Sequence, residues 1–169
     1  MVADINGDAA QQFAAEMGDH AIAQQVDVGD GASVAAMTQA ALDVWGHIDI
    51  LINNAGVSHM PGPLEDISEE DFDRVTRVNM KSVYLTARSI VPHMKKQGKG
   101  AILNVASTAG VSPRPNLNWY NASKGWMITA TKTMAVELAP FGIRVNAINP
   151  VAGETPLLKT FMGEDTPEM

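Results

Sequence analysis

The sequence predicts an α/β fold built on a mostly parallel sheet, and three observations carry that expectation. Short β-branched runs alternate with amphipathic stretches along the chain, the pattern of repeated βαβ units. Capping residues open the helical stretches and glycines close them, as with Asp30 and Gly46 or Ser68 and Gly98. Polar, small-residue motifs follow the apolar runs, at the carboxyl ends of the expected strands, where open α/β sheets place their ligands.

Taken in order, Met1 to Ile5 reads as the tail of a strand, and Asn6 or Asp8 can cap a helix reaching about Met17, with Gly18 as its stop. Ala21 to Val28 is the next strand. Asp30 caps a helix to Val44, which has Val34, Met37 and Ala41 on one face and Gly46 as its end. Ile48 to Ile52 is a buried strand, followed by Asn53-Asn54-Ala55-Gly56 and a loop to Ile67 that contains Pro61, Gly62 and Pro63. Ser68-Glu69-Glu70-Asp71 is a capping-box-like start for a helix towards Gln97, with Asn79 in its middle and Pro92 expected to bend or break it. Ala101 to Val105 is a strand, Ala106 to Asn118 a loop, and the segment carrying Tyr120 a helix to about Pro140. Ile143 to Ile148 is the last strand, followed by Asn149-Pro150. The chain begins inside a strand and stops in mid-segment, and no linker divides it. One incomplete domain over residues 1–169 is expected.

Composition narrows the function. With 12 basic against 19 acidic residues, a net charge of −7, the chain would repel phosphate backbones and anionic lipid surfaces, so neither nucleic acid nor membrane is an expected partner. Zero cysteines exclude disulfides, thiolate catalysis and thiolate metal sites. The start Met1-Val2-Ala3-Asp4 lacks the layout of a signal peptide, and no apolar run approaches membrane-spanning length. A cytoplasmic protein is expected. His20, His47, His59 and His93 show no ligand spacing, and Glu69, Glu70, Asp71 and Asp73 read as a solvated first helical turn, so no metal is expected.

Tyr120 and Lys124 stand four apart on a helix and so share one face. A neighbouring cation favours a phenolate and would make the tyrosine a usable acid, while Ser107, thirteen residues upstream, can hold a carbonyl or alcohol against it. Alone, the same residues describe a chance helical pair with a half-buried tyrosine and a solvated lysine. Asp4 is either a helix-capping aspartate or an acceptor for the two hydroxyls of an adenosine ribose, a position that would repel a 2′-phosphate. Asp27 can accept from an adenine amino group or cap the turn at Gly29. Asn53-Asn54-Ala55-Gly56 is either a polar turn or a motif whose amides bond between neighbouring strands while small residues let the backbone approach a flat ligand. Asn79 within a helix marks either a local kink or a position whose backbone is needed elsewhere.

In their joint order these residues resemble the short-chain dehydrogenase/reductase family of classical type, across Asp4 to Thr155. The motifs that carry the resemblance are Asp4, Asp27-Val28, Asn53-Asn54-Ala55-Gly56, Asn79, Ser107, Tyr120-x-x-x-Lys124, and Asn149-Pro150 followed by Thr155. The segment Asn149 to Leu157 is similar to bacterial members labelled 3-oxoacyl-carrier-protein reductase or glucose 1-dehydrogenase, labels that fix no substrate. The resemblance implies a Rossmann-like, doubly wound parallel sheet and an NAD-dependent oxidoreductase that interconverts a secondary alcohol and a ketone. It implies that Tyr120 is the general acid/base, that Ser107 polarises the carbonyl, and that Lys124 lowers the tyrosine pKa while bonding the nicotinamide ribose. Asn79 would hold a water of the proton relay. Asp4, Asp27, Val28, Asn54, Ala55, Gly56, Pro150 and Thr155 would line the cofactor, and the helices around Tyr84 to Met94 and Met127 to Leu138 would build a homotetramer.

Two departures qualify this. No G-x-x-x-G-x-G stands in the sequence, so the family's first strand and pyrophosphate-binding turn are not in it, and Val151 replaces a glycine after the loop proline. The closing strand of the family is also outside it. The absent first strand belongs between the strands of Val2 to Asp4 and Ile48 to Ile52, so its loss should remove a row of ladder hydrogen bonds. The alternatives to an active enzyme are therefore an inert family member with a structural or oligomeric role, or a nucleotide-sensing module that lost its chemistry.

Overall fold

A computed structural model of the protein describes residues 1–151. Five parallel strands run in chain order, β1 (Val2–Asp4), β2 (Ala23–Gln25), β3 (Ile50–Asn53), β4 (Gly100–Val105) and β5 (Ile143–Ile148). They form two sheets, β1-β2 and β3-β4-β5, with every pairing parallel. No ladder joins β1 to β3. Between them lies a cavity of about 310 Å³, lined from one side by Ala3 and Ile5 and from the other by Leu51 and Ile52. This gap is where the resemblance places a further strand.

The helices are α1 (Gly7–Glu16), α2 (Gly31–Trp45), α3 (Glu69–Thr76), α4 (Ser82–Gln97) and α5 (Asn118–Leu138). Their starts follow local chemistry. The Asn6 side chain accepts from Ala9 N at the head of α1, Asp30 accepts from Ser33 N at α2, and Ser68 accepts from Asp71 N at α3. Gly46 and Gly98 end α2 and α4 in the left-handed conformation that costs other residues most.

The core joins the two sheets through helices rather than strands. Val26, Val34 and Met37 pack with Leu51, Leu85, Ile90, Met94, Ile102, Ile143 and Val145 in one cluster. Leu51, Ile102, Ile143 and Val145 all point to the face that α2, α4 and α5 cover. The opposite face of β3 leaves Ile50 65% and Ile52 57% exposed. Apolar positions there have no layer against them among the described residues, unlike the fully covered sheet of a doubly wound fold.

Three expectations need correction. The long helix from Ser68 to Gln97 is interrupted, but not at Pro92. A π-helical segment, Arg77–Lys81, sits around Asn79, and α4 then runs unbroken through Pro92. Pro92 and Arg88, whose carbonyl loses its donor, are both exposed, so water can satisfy that carbonyl. The second strand shrinks to Ala23–Gln25, because Asp27 and Gly29 already belong to the turn that leads to α2. The long loop after β4 contains a 3-10 turn, Thr108–Gly110, which carries Ser107 as its cap.

Candidate active site

The carboxyl end of the β3-β4-β5 sheet gathers the expected residues from four elements. Asn53, at the end of β3, donates to the Asn104 amide oxygen at 2.8 Å, and the two residues are register partners on adjacent strands. Thr86 Oγ1 donates to Asn53 at 2.9 Å, and Asn104 donates to Thr131 Oγ1 at 2.8 Å, so α4 and α5 are stitched to the sheet through buried polar groups. The bond between neighbouring strands that the paired amides suggested is thus present. Asn104 and Thr131 were missed, since neither stands in a motif.

Beyond β3 the chain passes Gly56 and meets Asn79. Its Oδ1 accepts from Val57 N at 2.8 Å, while its Nδ2 donates to Val57 O and to Ser123 Oγ, both at 2.9 Å. The π-helical turn widens the helix at this point, as such turns often do at functional positions, and presents a wholly buried amide to the loop. A Cβ built on Gly56 would lie 3.3 Å from Lys124 Nζ and 3.6 Å from Asn79 Oδ1. The glycine therefore admits the lysine.

Lys124 is 3% exposed and its Nζ donates to Val105 O at 2.8 Å, the last carbonyl of β4. Burial lowers its pKa to about 8. Tyr120, 4% exposed, stands one turn earlier with its ring centroid 5.8 Å from that nitrogen. Burial raises the phenol pKa, opposed by a hydrogen bond from Ser107 and then by the charge of Arg114. On balance the phenol pKa is raised rather than lowered. Nζ is turned towards Val105 O, and desolvation both disfavours its own charge and outweighs the groups that favour the phenolate. Ser107, 8% exposed, accepts from Ala109 N at 3.1 Å, which fixes its hydroxyl at the start of the 3-10 turn.

The expected cofactor residues Asp4, Asp27, Val28, Asn54, Ala55 and Gly56 all line the 310 Å³ cavity, which abuts Lys124 through Gly56. Asp4 is not the helix cap, a role Asn6 takes, but its Oδ1 accepts from Asn6 N at 2.8 Å. Asp27 takes the turn-capping role, accepting from Gly29 N at 2.9 Å, and adds an ion pair with Arg77 at 2.7 Å. That pair lowers the Asp27 pKa, the Arg77 hydrogen bond being the main cause. Arg77 was missed because the two residues lie fifty apart in sequence. Pro150 O accepts from Thr108 N at 3.1 Å, tying the loop after β5 to the Ser107 turn. Thr155 lies outside the described residues.

The loop after β3 and the loop before α5 lie against each other. Gly62 N donates to Asn116 O at 3.0 Å, and Phe72 meets Trp119 edge-to-face with centroids 5.4 Å apart. His59 is buried in the first of these loops, with Nδ1 2.8 Å from Met60 O. Among the described residues no group of His, Asp and Glu could hold a metal ion, and no helix is long and apolar enough to cross a membrane.

The family model for short chain dehydrogenases matches residues 1–165. The chain belongs to the short-chain dehydrogenase family. As a member it falls among relatives named as dehydrogenases and reductases. It is 48% identical over 148 residues to 4-formylbenzenesulfonate dehydrogenase of Comamonas testosteroni, covering 87% of this chain and 59% of the relative. The crystal structure of 3-ketoacyl-(acyl-carrier-protein) reductase from Brucella melitensis complexed with NADH superposes with a TM-score of 0.93 at 51% identity, over 95% of this chain and 68% of that one. Gluconate 5-dehydrogenase from Burkholderia cenocepacia, in complex with NADP and tartrate, superposes at 0.87 with 32% identity, over 97% and 65%. The chain thus spans about three-fifths of the length of the curated dehydrogenase it matches, and the fold of this short-chain dehydrogenase is Rossmann-like.

Proposed function

We propose that this short-chain dehydrogenase interconverts a secondary alcohol and a ketone with NAD(H), with Tyr120 giving and taking the proton at the substrate oxygen. A chain of neighbours carries this reading: Ser107 meets Tyr120, Tyr120 faces Lys124, and Lys124 and Asn79 come together at Gly56. Ser107 and the Tyr120 phenol would grip one oxygen between them, so that charge developing there meets two hydrogen bonds. Lys124, with a pKa of about 8, exchanges protons readily near neutrality and can resupply the phenol. Asn79 holds the Val57 loop and Ser123 beside the lysine, where a water can link Lys124 to solvent.

The residues present fit the two ends of a dinucleotide. Asp4, at the end of β1, offers a carboxylate to the adenosine ribose, and its charge favours NAD over NADP. Asp27 and Val28 would face the adenine, Asn54, Ala55, Gly56 and Pro150 the nicotinamide half, and Thr155 the carboxamide. When bound, the cofactor accepts or donates the hydride. Replacing Asp4 with Ala should narrow the preference between NADH and NADPH. Assays of the protein with NADH and a panel of small ketones test the whole reading. Tyr120→Phe should lower turnover by about 10² to 10⁴ with an unchanged circular dichroism spectrum, and equal rates would overturn the assignment.

Homotetramer formation through α4 and α5 is part of the proposal. Tyr84, Trp126 and Val136 are exposed on these helices at 53%, 37% and 79%, an apolar surface suited to a second copy. Sedimentation of Val136→Glu against the unaltered protein tests it. A second reading, an inert chain with only a structural role, is favoured by the unbridged gap between β1 and β3. Micromolar NADH binding by calorimetry would defeat it.

A further inference from the structure

Gly110 ends the turn that carries Ser107, and it meets the helix that carries Tyr120 and Lys124 backbone against backbone. A Cβ built on Gly110 would stand 2.7 Å from Gly125 N, 2.7 Å from the Lys124 carbonyl carbon and 2.9 Å from the Lys124 oxygen. These are main-chain atoms inside a 21-residue helix, and they cannot swing aside as the tip of a side chain can. Gly110 is not among the glycines with positive φ, so space rather than backbone conformation demands a glycine here. The contact is asymmetric. A Cβ on Gly125 would find its nearest neighbour, Gly110 O, at 3.5 Å, an ordinary van der Waals distance.

The far side of the turn is also held. Thr108 N and Thr108 Oγ1 both donate to Pro150 O, at 3.1 and 3.3 Å, and Gly110 N donates to Ser107 O at 3.1 Å. Ser107 is therefore clamped between the loop after β5 and the backbone of α5, with Gly110 as the point of contact on the helix side. We propose that Gly110 is a positioning residue: its bare Cα seats the Ser107 turn directly on α5 at Lys124 and thereby sets the spacing between the Ser107 hydroxyl and the Tyr120 phenol.

A methyl group at this position needs roughly 0.7 Å more room to reach normal carbon contact distance. The turn is three residues long and so moves as a unit, carrying the Ser107 hydroxyl with it. A hydrogen bond lengthened by that amount is largely lost. The catalytic consequence rests on the reading of Tyr120 and Ser107 given above, whereas the placement of the turn does not.

The test uses the phenol itself as the reporter. The chain has 2 tyrosines, so a Tyr84→Phe background leaves Tyr120 as the sole group giving tyrosinate absorbance on titration. Gly110→Ala should raise the Tyr120 midpoint by about half a pH unit or more, the size of one net hydrogen bond. Gly125→Ala should leave it unchanged. Ser107→Ala should raise it similarly, and Gly110→Ala should add nothing further in the Ser107→Ala background.

An unmoved midpoint in folded Gly110→Ala overturns the proposal, as does a rise that persists in full without the Ser107 hydroxyl. Should Gly110→Ala fail to fold by circular dichroism, Gly125→Val presses the same contact from the helix side through its Cγ atoms and carries the same expectation. The titration needs neither cofactor nor turnover. A protein inactive on every ketone that still shows the shift would defeat the catalytic reading alone, and an active one without the shift would defeat the role of Gly110 alone.

Discussion

Nζ of Lys124 donates 2.8 Å to the carbonyl of Val105, so an ammonium carried by α5 is pinned to the end of β4 two residues before Ser107. The bond serves position at the expense of charge. Burial lowers the lysine pKa from 10.5 to about 8, and the unfolded chain therefore binds more protons than the folded one between those values. Stability contributed at this site rises with pH across about 8 to 10.5 and is lowest below 8. Lys124→Met should accordingly be more stable than the parent near pH 7, by up to roughly 3 kcal/mol, and should lose that advantage by pH 10. Urea denaturation of both proteins at the two pH values measures the difference.

Ser107 bears on chemistry more than on stability. It is buried, and its hydroxyl accepts one backbone hydrogen bond, from Ala109 N. Ser107→Ala leaves that donor near the start of a turn and should cost about 1 kcal/mol, while removal of a hydrogen bond to the reacting oxygen should lower turnover by about 10² to 10³. Thermal melts and steady-state rates on the same sample separate the two effects.

Asn79 shows the reverse balance. It is fully buried and makes three hydrogen bonds, two of them to the backbone of Val57. Asn79→Ala would strand the N–H and C=O of Val57 as well as create a cavity, a loss of about 2 to 4 kcal/mol. Asn79→Asp keeps the acceptor for Val57 N but not the donors, so it should fall between the two. Equal unfolding midpoints for all three proteins would show that the loop after β3 does not depend on this residue.

Much of this was legible in sequence because it was local. The caps Asn6, Asp30 and Ser68 and the stops Gly46 and Gly98 act within a few residues, and the helical spacing of Tyr120 and Lys124 needs no tertiary contact. What escaped depends on distance or on small changes in winding. The π-helical turn at Arg77–Lys81 keeps a helical residue pattern, so Asn79 signalled a disturbance without revealing its form. Pro92 misled because its cost depends on which way the freed carbonyl faces. The burial that raises the Tyr120 pKa arises from packing, which spacing does not contain.

Arg77 and Asp27 meet only in the folded chain, and their pair gives a prediction in acid. The Asp27 pKa is lowered, chiefly by the Arg77 hydrogen bond, so the folded state favours the carboxylate more than the unfolded state does. Its contribution is complete above the ordinary aspartate value of 3.8 and is lost as pH falls through the lower folded value. Both side chains are partly exposed, at 45% and 32%, so screening limits the pair to at most about 1 kcal/mol. Asp27→Asn should therefore destabilise by that amount or less at pH 7 in low salt, less in high salt, and progressively less as pH falls below 3.8. Arg77→Gln should behave alike, and the double variant should lose no more than either single one, because each removes the same interaction. Additive losses at pH 7 would instead show that Asp27 and Arg77 stabilise the turn at Gly29 independently, Arg77 through its packing over Gly29 rather than through its charge.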